Sequence, residues 1–371
     1  MKIRLVQGAK DLAAFIELPY RLHRADPVWV PPLRFDVRAR LNRKKNPFFE
    51  HGEADYFLAE RGAEVIGRIA AITNRLHNET HQDKVAFFGF FECVNDPLVA
   101  RALLDTAAEW ARQKGFEVLR GPASFSTNDE CGLLVDGFDS PPTLMMAHNP
   151  AYYVDLVESA GFVKAKDLWA YEHDLSNEVP QRITRSCEVI RKRARVTVRQ
   201  AEAGSFAAEI RRLKSGYNDY WEKNWGFVPM TDSELEHMSA QLKPFYDPGM
   251  VVFAEREGRV VALCLALPDL NEVLRTNRSG RLFPGVLKLF WRLRRKQVRR
   301  MRLLMLGVLP EFRGKGVDGV VINELWKHVI SRGIDWCEAG WILEDNPAIS
   351  NFTERLGFAR YKTYRLYDRA L

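Results

Sequence analysis

Near the end of the chain the hydrophobic pattern changes from a continuous run to a helical repeat. Residues 303–308 form an apolar run bounded by Arg302 and Pro310, which predicts a buried strand. A turn of glycine and basic residues follows, and a helix is then predicted by the apolar positions Val320, Val321, Ile322 and Leu325. A strand, a glycine turn and a helix in this order aim free backbone N–H groups at the helix N terminus, where the helix dipole favours an anion.

A second pattern is an internal repeat. Two-strand hairpins around a glycine turn are predicted at 56–72 and again at 251–267. Asn-Pro-Ala and Gly-Phe also recur, each about 196 residues further on, which is a spacing that indicates duplicated units. These recurrences begin at Asn149 and Asn346 and at Gly161 and Gly357.

The repeat predicts two copies of one α/β unit, each with a mixed sheet. We place the first copy at 1–175 and the second at 195–371, with a polar linker at 176–194. The second copy carries an insertion at 268–300, between its hairpin and the strand at 303–308. A length of 371 residues also favours two domains.

The glycine turn resembles the pyrophosphate motif of the GNAT superfamily of acyl-CoA N-acyltransferases. Arg313 and Gly316 match two fixed positions of that motif, and Asp318 stands where the family has a small residue. The stretch 346–358 resembles a second family element, a helix that packs beside the cofactor thiol. The resemblance therefore implies two tandem GNAT-like domains.

Other phosphate loops fit the turn less well. The Walker pattern GxxxxGK[ST] is absent. GKGVDG formally fits a dinucleotide-binding fingerprint, but that fingerprint belongs early in a parallel sheet, and here the next predicted strand, 334–337, lies near the end of the chain. A turn that binds nothing is the remaining alternative.

The resemblance implies acyl-CoA as co-substrate, carrying either an acetyl or a long-chain acyl group, and no metal. Glycines let a phosphate approach the backbone closely, and strand N–H groups can hold the pantetheine and polarise the thioester carbonyl. The cofactor-binding residues that it implies are Leu306, Gly307, Val308, Leu309, Arg313, Gly314, Lys315, Gly316, Val317, Asp318, Asn346 and Phe352.

The first copy lacks the turn. At the matching place it has 92–97, Glu-Cys-Val-Asn-Asp-Pro, with no glycine, no basic residue and two acids where phosphates would lie. We therefore expect it to be a degenerate GNAT-like domain without a cofactor loop. Its predicted roles are to support the second copy and to wall the acceptor site.

Amine acylation needs a group that accepts a proton from the amine and a group that donates one to the thiolate. The family's usual tyrosine acid is replaced here by Thr353, so Tyr361 is a candidate donor. The predicted strand at 303–308 carries no acid, so Glu338 and Glu344 are the candidate bases. For each glutamate the alternative is a solvated or capping carboxylate.

Candidate acceptor residues come from two places. The loop 121–148 is rich in polar residues, glycine and proline, and such loops often carry binding residues. From it and the following helix we select Asn128, Glu130, Asn149, Tyr152 and Tyr153. The aromatic segment before a predicted helix start, with Thr231 and Glu234 as a capping box, adds Trp225 and Phe227.

The insertion contains an amphipathic stretch at 281–300. Leu287 and Trp291 fall on one side of a predicted helix and Lys288, Arg292 and Arg295 elsewhere, a pattern that indicates contact with an anionic membrane surface. The alternatives are a packed helix with a solvated basic face and nucleic-acid contact. We expect no nucleic acid, because no recognition motif accompanies the net charge of +7.

Cysteine use and hydropathy predict the compartment. Five scattered cysteines, with no CxxC and no metal-ligand spacing, indicate reduced thiols in a cytoplasmic protein. No run of eighteen apolar residues and no signal-peptide core are present. We therefore expect a cytoplasmic protein, peripheral on the inner membrane face if the insertion contacts lipid. The oligomeric state is left open.

These observations predict an N-acyltransferase that moves an acyl group from acyl-CoA to a primary amine. The tandem form with its aromatic and basic insertion, and the phrase GVLPEFRGKGVD, look similar to bacterial ceramide synthase-type enzymes of the superfamily. That resemblance implies a long-chain acyl group and a sphingoid amine. The alternatives are a small-molecule or aminoacyl N-acetyltransferase and a non-catalytic CoA-binding protein.

Overall fold

A computed structural model describes residues 1–175, 179–202, 204–221, 224–283, 285–295 and 297–371. Within these ranges the chain forms one continuous mixed sheet, which confirms the predicted α/β class. Its strands are β1 (Lys2–Leu5), β2 (Gly52–Arg61), β3 (Glu64–Asn74), β4 (Val85–Cys93), β5 (Val118–Gly121), β6 (Leu133–Asp136), β7 (Val163–Asp174), β8 (Thr197–Gln200), β9 (Val251–Arg256), β10 (Arg259–Pro268), β11 (Arg300–Val308), β12 (Trp336–Leu343) and β13 (Ala359–Ala370).

Helices pack on the sheet and at its edges. They are α1 (Gly8–Leu22), α2 (Arg34–Arg40), α3 (Arg75–His81), α4 (Pro97–Gln113), α5 (Tyr152–Ser159), α6 (Gln181–Ala194), α7 (Phe206–Trp221), α8 (Asp232–Leu242), α9 (Asn271–Leu274), α10 (Gly285–Arg294), α11 (Val317–Ser331) and α12 (Pro347–Arg355). Local signals set their ends: Thr231 and Glu234 exchange both hydrogen bonds of the predicted capping box at α8.

Each half of the sheet is covered by one apolar helix. In α4 the buried residues recur at helical spacing: Val99, Leu103, Ala107 and Ala111. In α11 they recur in the same way: Val317, Val321, Leu325 and Val329. Burial of each such aliphatic side chain larger than alanine stabilises the fold by about 1.5–3 kcal/mol. The two helices thus anchor the elements that precede them, namely 92–97 in the first half and the glycine turn in the second.

The last strand of each half is built into the centre of the other half. β7, which ends the first half, pairs with β12 and β13, and β13, which ends the chain, pairs with β5 and β7. The strand order is therefore β1-β2-β3-β4-β5-β13-β7-β12-β11-β10-β9-β8, with β6 beside β13. Backbone hydrogen bonds run without interruption from one half to the other.

In the second half, β11 and β12 separate at a bulge. They pair in parallel from Arg300 and Trp336 to Leu303 and Ala339, and no further within 297–371. At the same place the register of β11 against β10 skips Leu304. A bulge bends a strand and increases its twist, so the remaining parts of β11 and β12 diverge. The result is a cleft between two neighbouring strands, which we call the splay.

In the first half, the matching gap between β4 and β5 is closed. After β5 the chain stays against β4, and the Ala123 N–H donates to the Phe88 carbonyl at 2.8 Å. A Cβ on Gly89 would lie 2.2 Å from the Ala123 carbonyl oxygen, so glycine is required by this contact. The segment 121–124 therefore occupies the space that is open in the second half.

The segment predicted as a linker contains the helix α6. Its apolar positions Ile183, Cys187, Ile190 and Ala194 have helical spacing, and Cys187 is buried against α11. The basic residues between these positions hid that period in the sequence. Residues 176–178 lie outside the described ranges. The boundaries at 175 and 195 stay a prediction for the limits of independent units.

Expressing 1–175 and 176–371 separately tests the exchange of final strands. We expect neither fragment to unfold cooperatively alone, because each lacks the strand that fills the middle of its sheet. Co-expression should give a stable one-to-one complex, measured by size-exclusion chromatography and thermal unfolding. A monomeric 1–175 fragment with its own cooperative transition would contradict the exchange.

Candidate active site

The splay opens onto a cavity of about 200 Å³ between the two halves. The first half contributes part of the segment 121–148, which was predicted as a loop and contains the short strand β6, and one β7 residue. The second half contributes α7, α8, the loop between them and the strands β11, β12 and β13. The lining residues are Thr127, Asn128, Asp129, Cys131, Met145, Leu168, Trp221, Asn224, Trp225, Phe227, Met230, Met238, Arg302, Leu304, Met305, Gly340, Trp341, Leu343 and Leu366.

Methionine and tryptophan dominate the apolar part of this cavity. Four of the chain's eight methionines line it, together with three tryptophans. Methionine side chains are unbranched and polarizable, so they adapt to flexible apolar ligands. The lining therefore suits an alkyl or other flexible apolar group better than a rigid polar one.

Among the residues that the structure describes, Asp129 is the one carboxylate that lines the cavity. Burial away from water raises its pKa to about 6, against the opposing charge of Arg40. Ser126 Oγ donates to its Oδ2 at 3.3 Å. A carboxylate with this pKa is ionised at neutral pH and is a better proton acceptor than an ordinary aspartate.

Hydrogen bonds between the halves fix the loop that carries Asp129. Thr127 Oγ1 donates to the Gly226 carbonyl at 2.6 Å, and Asn128 Nδ2 donates to the Val228 carbonyl at 2.9 Å. The loop is therefore attached to the segment between α7 and α8, opposite the splay.

A second part of the same loop is held by buried charged groups of the second half. Lys362 Nζ donates to the carbonyls of Gly137 and Ser140, and burial lowers the pKa of Lys362 to about 8. Asp269 Oδ1 accepts the Leu144 N–H at 3.0 Å, and burial raises the pKa of Asp269 to about 7. Both contacts pair a buried charged side chain with backbone groups of the loop.

Glu338 belongs to this anchoring network. Its side chain is 0% exposed, Oε1 accepts from Thr143 Oγ1 at 2.7 Å, and Oε2 accepts from the Tyr361 hydroxyl. Arg302 Nε lies 3.4 Å from Oε1. Glu338 does not line the cavity, so Arg302 and not the glutamate is the member of this cluster that faces the site.

The other two catalytic candidates also lie away from the cavity. Tyr361 is bound to Glu338, and burial raises its pKa above the ordinary value, which makes it a poor proton donor. Glu344 accepts from Lys164 Nζ at 2.6 Å and from the Asp167 N–H at 3.1 Å. The structure thus places Glu344 just after the end of β12, in an ion pair with β7.

The glycine turn has the conformation that an anion site needs. Gly314 and Gly316 have φ values of 70° and 78°, in the region that favours glycine. The N-cap residue of α11 is Gly316, which has no side chain to accept hydrogen bonds from the first turn. Asp318 turns its carboxylate back onto the Gly319 N–H at 2.9 Å, and burial raises the pKa of that carboxyl. Lys315 is exposed at the same turn.

The edge of β11 offers backbone groups to the splay. The Leu309 N–H donates to the Val261 carbonyl on the β10 side. Antiparallel pairing alternates, so the Leu306 and Val308 N–H groups point the other way, into the splay. Gly307 is required because a Cβ there would lie 2.8 Å from the Tyr220 ring.

Several predicted cofactor residues have structural contacts. Arg313 donates to the Val308 carbonyl at 3.2 Å and the Tyr220 carbonyl at 3.0 Å, which closes the turn. Asn346 caps α12 by accepting the Ile349 N–H. Val317 is fully buried, and Phe352 packs beside Gly319.

Three of the seven predicted acceptor residues line the cavity, namely Asn128, Trp225 and Phe227. Asn149 is buried and hydrogen-bonds both backbone groups of Leu134. Tyr152 donates to the Cys93 carbonyl and Tyr153 to Glu92, both in the core of the first half. Glu130 lies outside the lining, near Arg40. Asn149, Tyr152 and Tyr153 therefore use their polar atoms in hydrogen bonds within the first half.

Five polar cavity residues are not among those that the sequence indicated, namely Thr127, Asp129, Asn224, Arg302 and Trp341. Asp129 lies between the candidates Asn128 and Glu130. Only the fold shows that the carboxylate of Asp129, and not that of Glu130, lines the cavity. Trp341 Nε1 is buried and has no hydrogen-bond partner within the described ranges. Arg302 donates to the Leu144 carbonyl at 2.5 Å and the Gly340 carbonyl at 3.0 Å.

Within the described ranges, no cluster of three or more His, Cys, Asp or Glu side chains could hold a metal ion. None of the helices in these ranges has the length and hydrophobicity to cross a bilayer.

Known proteins resemble the chain along its whole length. The FR47-like protein family matches residues 288–366. The bacterial ceramide synthase of Caulobacter vibrioides is 35% identical over 378 aligned positions, which cover 99% of this chain and 96% of that protein. Protein YghO of Escherichia coli is also 35% identical, over 100% of this chain and 95% of its own length.

Solved structures agree on the fold. A tandem GNAT protein from the clavulanic acid biosynthesis pathway superposes with a TM-score of 0.58 at 12% identity, covering 100% of this chain and 98% of that one. At such low identity this likeness concerns the fold alone. Together with the splay, the uncapped glycine turn and the two full-length relatives, it leads to one conclusion: the chain belongs to the GNAT superfamily of acyl-CoA N-acyltransferases, in its tandem form, and to the same family as the bacterial ceramide synthase.

Proposed function

We propose that this N-acyltransferase moves a long-chain acyl group from acyl-CoA to a lipid amine of the sphingoid class. The observation that carries the proposal is the cavity at the mouth of the splay, with four methionines and three tryptophans around one carboxylate. An amine with a long alkyl chain matches that combination of one anionic group and an adaptable apolar wall. The full-length relative named as a bacterial ceramide synthase supports the same assignment.

CoA is proposed to bind the second copy alone. The uncapped N terminus of α11 with Gly314 and Gly316 would hold the pyrophosphate. The Leu306 and Val308 N–H groups would bind the pantetheine in the splay. The closed gap of the first half, filled by 121–124, supports this choice.

Asp129 is our proposed proton acceptor. Its carboxylate would first attract the ammonium group of the acceptor and then take the proton that the amine loses before attack. The amine nitrogen then forms the bond to the thioester carbon and the C–S bond breaks. The nitrogen loses its second proton, which passes through water to the leaving thiolate. Arg302 and the Trp341 N–H, both lining the cavity, would stabilise negative charge as it develops there.

The exposed face of the insertion would bring the site to a membrane. Phe283, Leu287 and Trp291 are 62%, 61% and 50% exposed, and the last two lie one turn apart on α10. Lys288 and Arg295 are exposed beside them. Apolar residues flanked by cations favour an anionic lipid surface, from which a lipid amine could be taken.

One observation favours the alternative function, N-acetylation of a small amine. The cavity volume of about 200 Å³ is below the range of about 300–1,000 Å³ typical of ligand sites. An acetyl group and a small amine would fit without rearrangement, whereas a long chain requires the methionines to move or the chain to leave through the cavity mouth.

A substrate panel separates these two functions. We expect free-thiol release from palmitoyl-CoA with sphinganine to exceed release from acetyl-CoA with polar amines by at least about 10-fold, since an alkyl chain gains about 0.8 kcal/mol per buried CH₂. Thiol release is measured with a chromogenic disulfide. Activity with acetyl-CoA and polar amines alone would overturn the lipid assignment.

Substitution of Asp129 tests its role in proton transfer. Asp129→Asn should lower kcat/KM by about 10²-fold, because a neutral amide accepts no proton. In the unmodified enzyme kcat/KM should rise with pH as Asp129 ionises around pH 6, and the variant should lose that step. Glu130→Gln, a change of charge at the next residue but outside the cavity, is the control. Equal losses in the two variants would exclude Asp129 as the specific base.

Vesicle binding tests the exposed face of α10. Leu287→Glu with Trp291→Glu should weaken binding to vesicles containing phosphatidylglycerol by at least about 10-fold. Two apolar contacts with the lipid are lost, and the two added negative charges are repelled by the anionic headgroups. Leu98→Glu, at a leucine that is 74% exposed on α4, is the matched control. If Leu98→Glu weakens vesicle binding as much as the double substitution does, the effect reflects the net charge of the protein, and the proposal that α10 contacts the membrane is wrong.

A further inference from the structure

The linker helix α6 runs antiparallel to α11 and reaches the glycine turn. Thr184 Oγ1 lies 3.3 Å from Asn323 Oδ1, and Cys187 Sγ lies 3.4 Å from the Gly319 carbonyl oxygen. One turn further along α6, Ile190 packs against Gly316, where an added Cβ would lie 2.8 Å from Ile190 Cδ1. Residues further along α6 therefore contact residues nearer the start of α11, as expected for antiparallel helices.

The end of α6 extends past the start of α11. With a rise of about 1.5 Å per residue, residues 191–194 reach roughly 6 Å beyond the level of Gly316. A ligand whose pyrophosphate sat on the turn would have the rest of its nucleotide in this region. The last turn of α6 is therefore next to the proposed cofactor site, although it belongs to neither copy of the repeated unit.

Positive charge is concentrated at that end. Arg191, Lys192, Arg193 and Arg195 are all exposed, and none of them has an ion-pair partner within the described ranges. Ile183, Cys187, Ile190 and Ala194 form the face toward α11, so the 3.6-residue period puts Arg191 and Arg193 on the two sides of that face. Lys192 points in the opposite direction.

Arg195 has a backbone conformation that an arginine rarely adopts. Its φ is 53° and its ψ is 46°, and the Val196 N–H donates to the Arg191 carbonyl. Glycine is the usual residue at this position after a helix, and a residue with a Cβ is disfavoured there by about 1 kcal/mol. Arg195 therefore adds a fourth basic residue to Arg191, Lys192 and Arg193 at a cost in folding stability. Such strain is typical of positions that bind a ligand.

The glycine turn itself offers little positive charge to a ligand. Arg313, the arginine of the turn motif, donates to the Val308 and Tyr220 carbonyls and so holds the turn closed. Lys315 is the remaining cation of the turn. A ligand with phosphate groups beyond the pyrophosphate would therefore meet α6 before any other basic element described above.

We propose that Arg191, Arg193 and Arg195 form a phosphate-binding rim that recognises the 3′-phosphate of the CoA nucleotide. This inference rests on the proposed binding of CoA at the 313–319 turn. It assigns to α6 a specificity role: the enzyme distinguishes a 3′-phosphorylated from an unphosphorylated adenosine through a helix outside both repeated copies.

Isothermal titration of the full-length protein with CoA and with 3′-dephospho-CoA tests the rim. We expect CoA to bind about 10-fold tighter, since a charge-assisted contact at an exposed site contributes on that order. Arg191→Ala with Arg193→Ala should bring CoA affinity to within about threefold of dephospho-CoA affinity, which is the share left to Arg195, and leave dephospho-CoA affinity unchanged. Equal affinity of the unmodified protein for the two ligands would overturn the proposal.

Two further variants separate position from charge and from folding. Arg185→Ala with Lys192→Ala removes the same charge from the far side of α6 and should keep the discrimination; loss of discrimination here would overturn the rim. Arg195→Gly should lower CoA affinity about threefold while the Tm stays the same or rises, because glycine relieves the backbone at φ 53°. Failure of the unmodified protein to bind either ligand would instead overturn the proposed CoA site itself.

Discussion

The pairing of β7 with β12 and of β13 with β5 holds the whole arrangement together. Because each final strand lies in the other half, the two copies cannot move apart without breaking central backbone hydrogen bonds. This pairing fixes the loop 121–148 of the first half over the splay of the second. The buried side chains Glu338, Lys362 and Asp269 then attach that loop residue by residue. A one-residue slip of β7 would turn the side chains of β7 itself to the opposite face of the sheet.

Duplication gave one unit two different uses. In the second copy the bulge at Leu304 lets β11 and β12 separate, and backbone groups there face an opening. In the first copy the same gap is filled by 121–124, whose continuation brings Asp129 to the cavity. The first copy therefore supplies the Asp129 carboxylate of the cavity, and the second copy supplies the splay and the glycine turn. Neither half contains both.

Local signals in the sequence predicted much of the fold. The strand before the glycine turn, the turn, the α8 capping box and the duplicated hairpins all depend on neighbouring residues, and the structure contains each of them. The exchange of β7 and β13 depends on partners that lie far apart in the chain, and hydrophobic periodicity carries no information about them. Similarly, Glu338 has the residue type of a base, but its Thr143 and Tyr361 partners make it an anchor. Asn128, Asp129 and Glu130 are neighbours in an irregular segment, which has no period from which the sequence could tell that the first two line the cavity and the third does not.

A crystal structure with a non-hydrolysable thioether analogue of palmitoyl-CoA would test the central claim most directly. The account predicts the nucleotide at the 313–319 turn, the sulfur between the Leu306 edge of β11 and Gly340 of β12, and the alkyl chain among the methionines of the cavity, with Asp129 facing the thioether carbon. Density for the nucleotide at 92–97 of the first half, or for the chain outside the cavity, would contradict it.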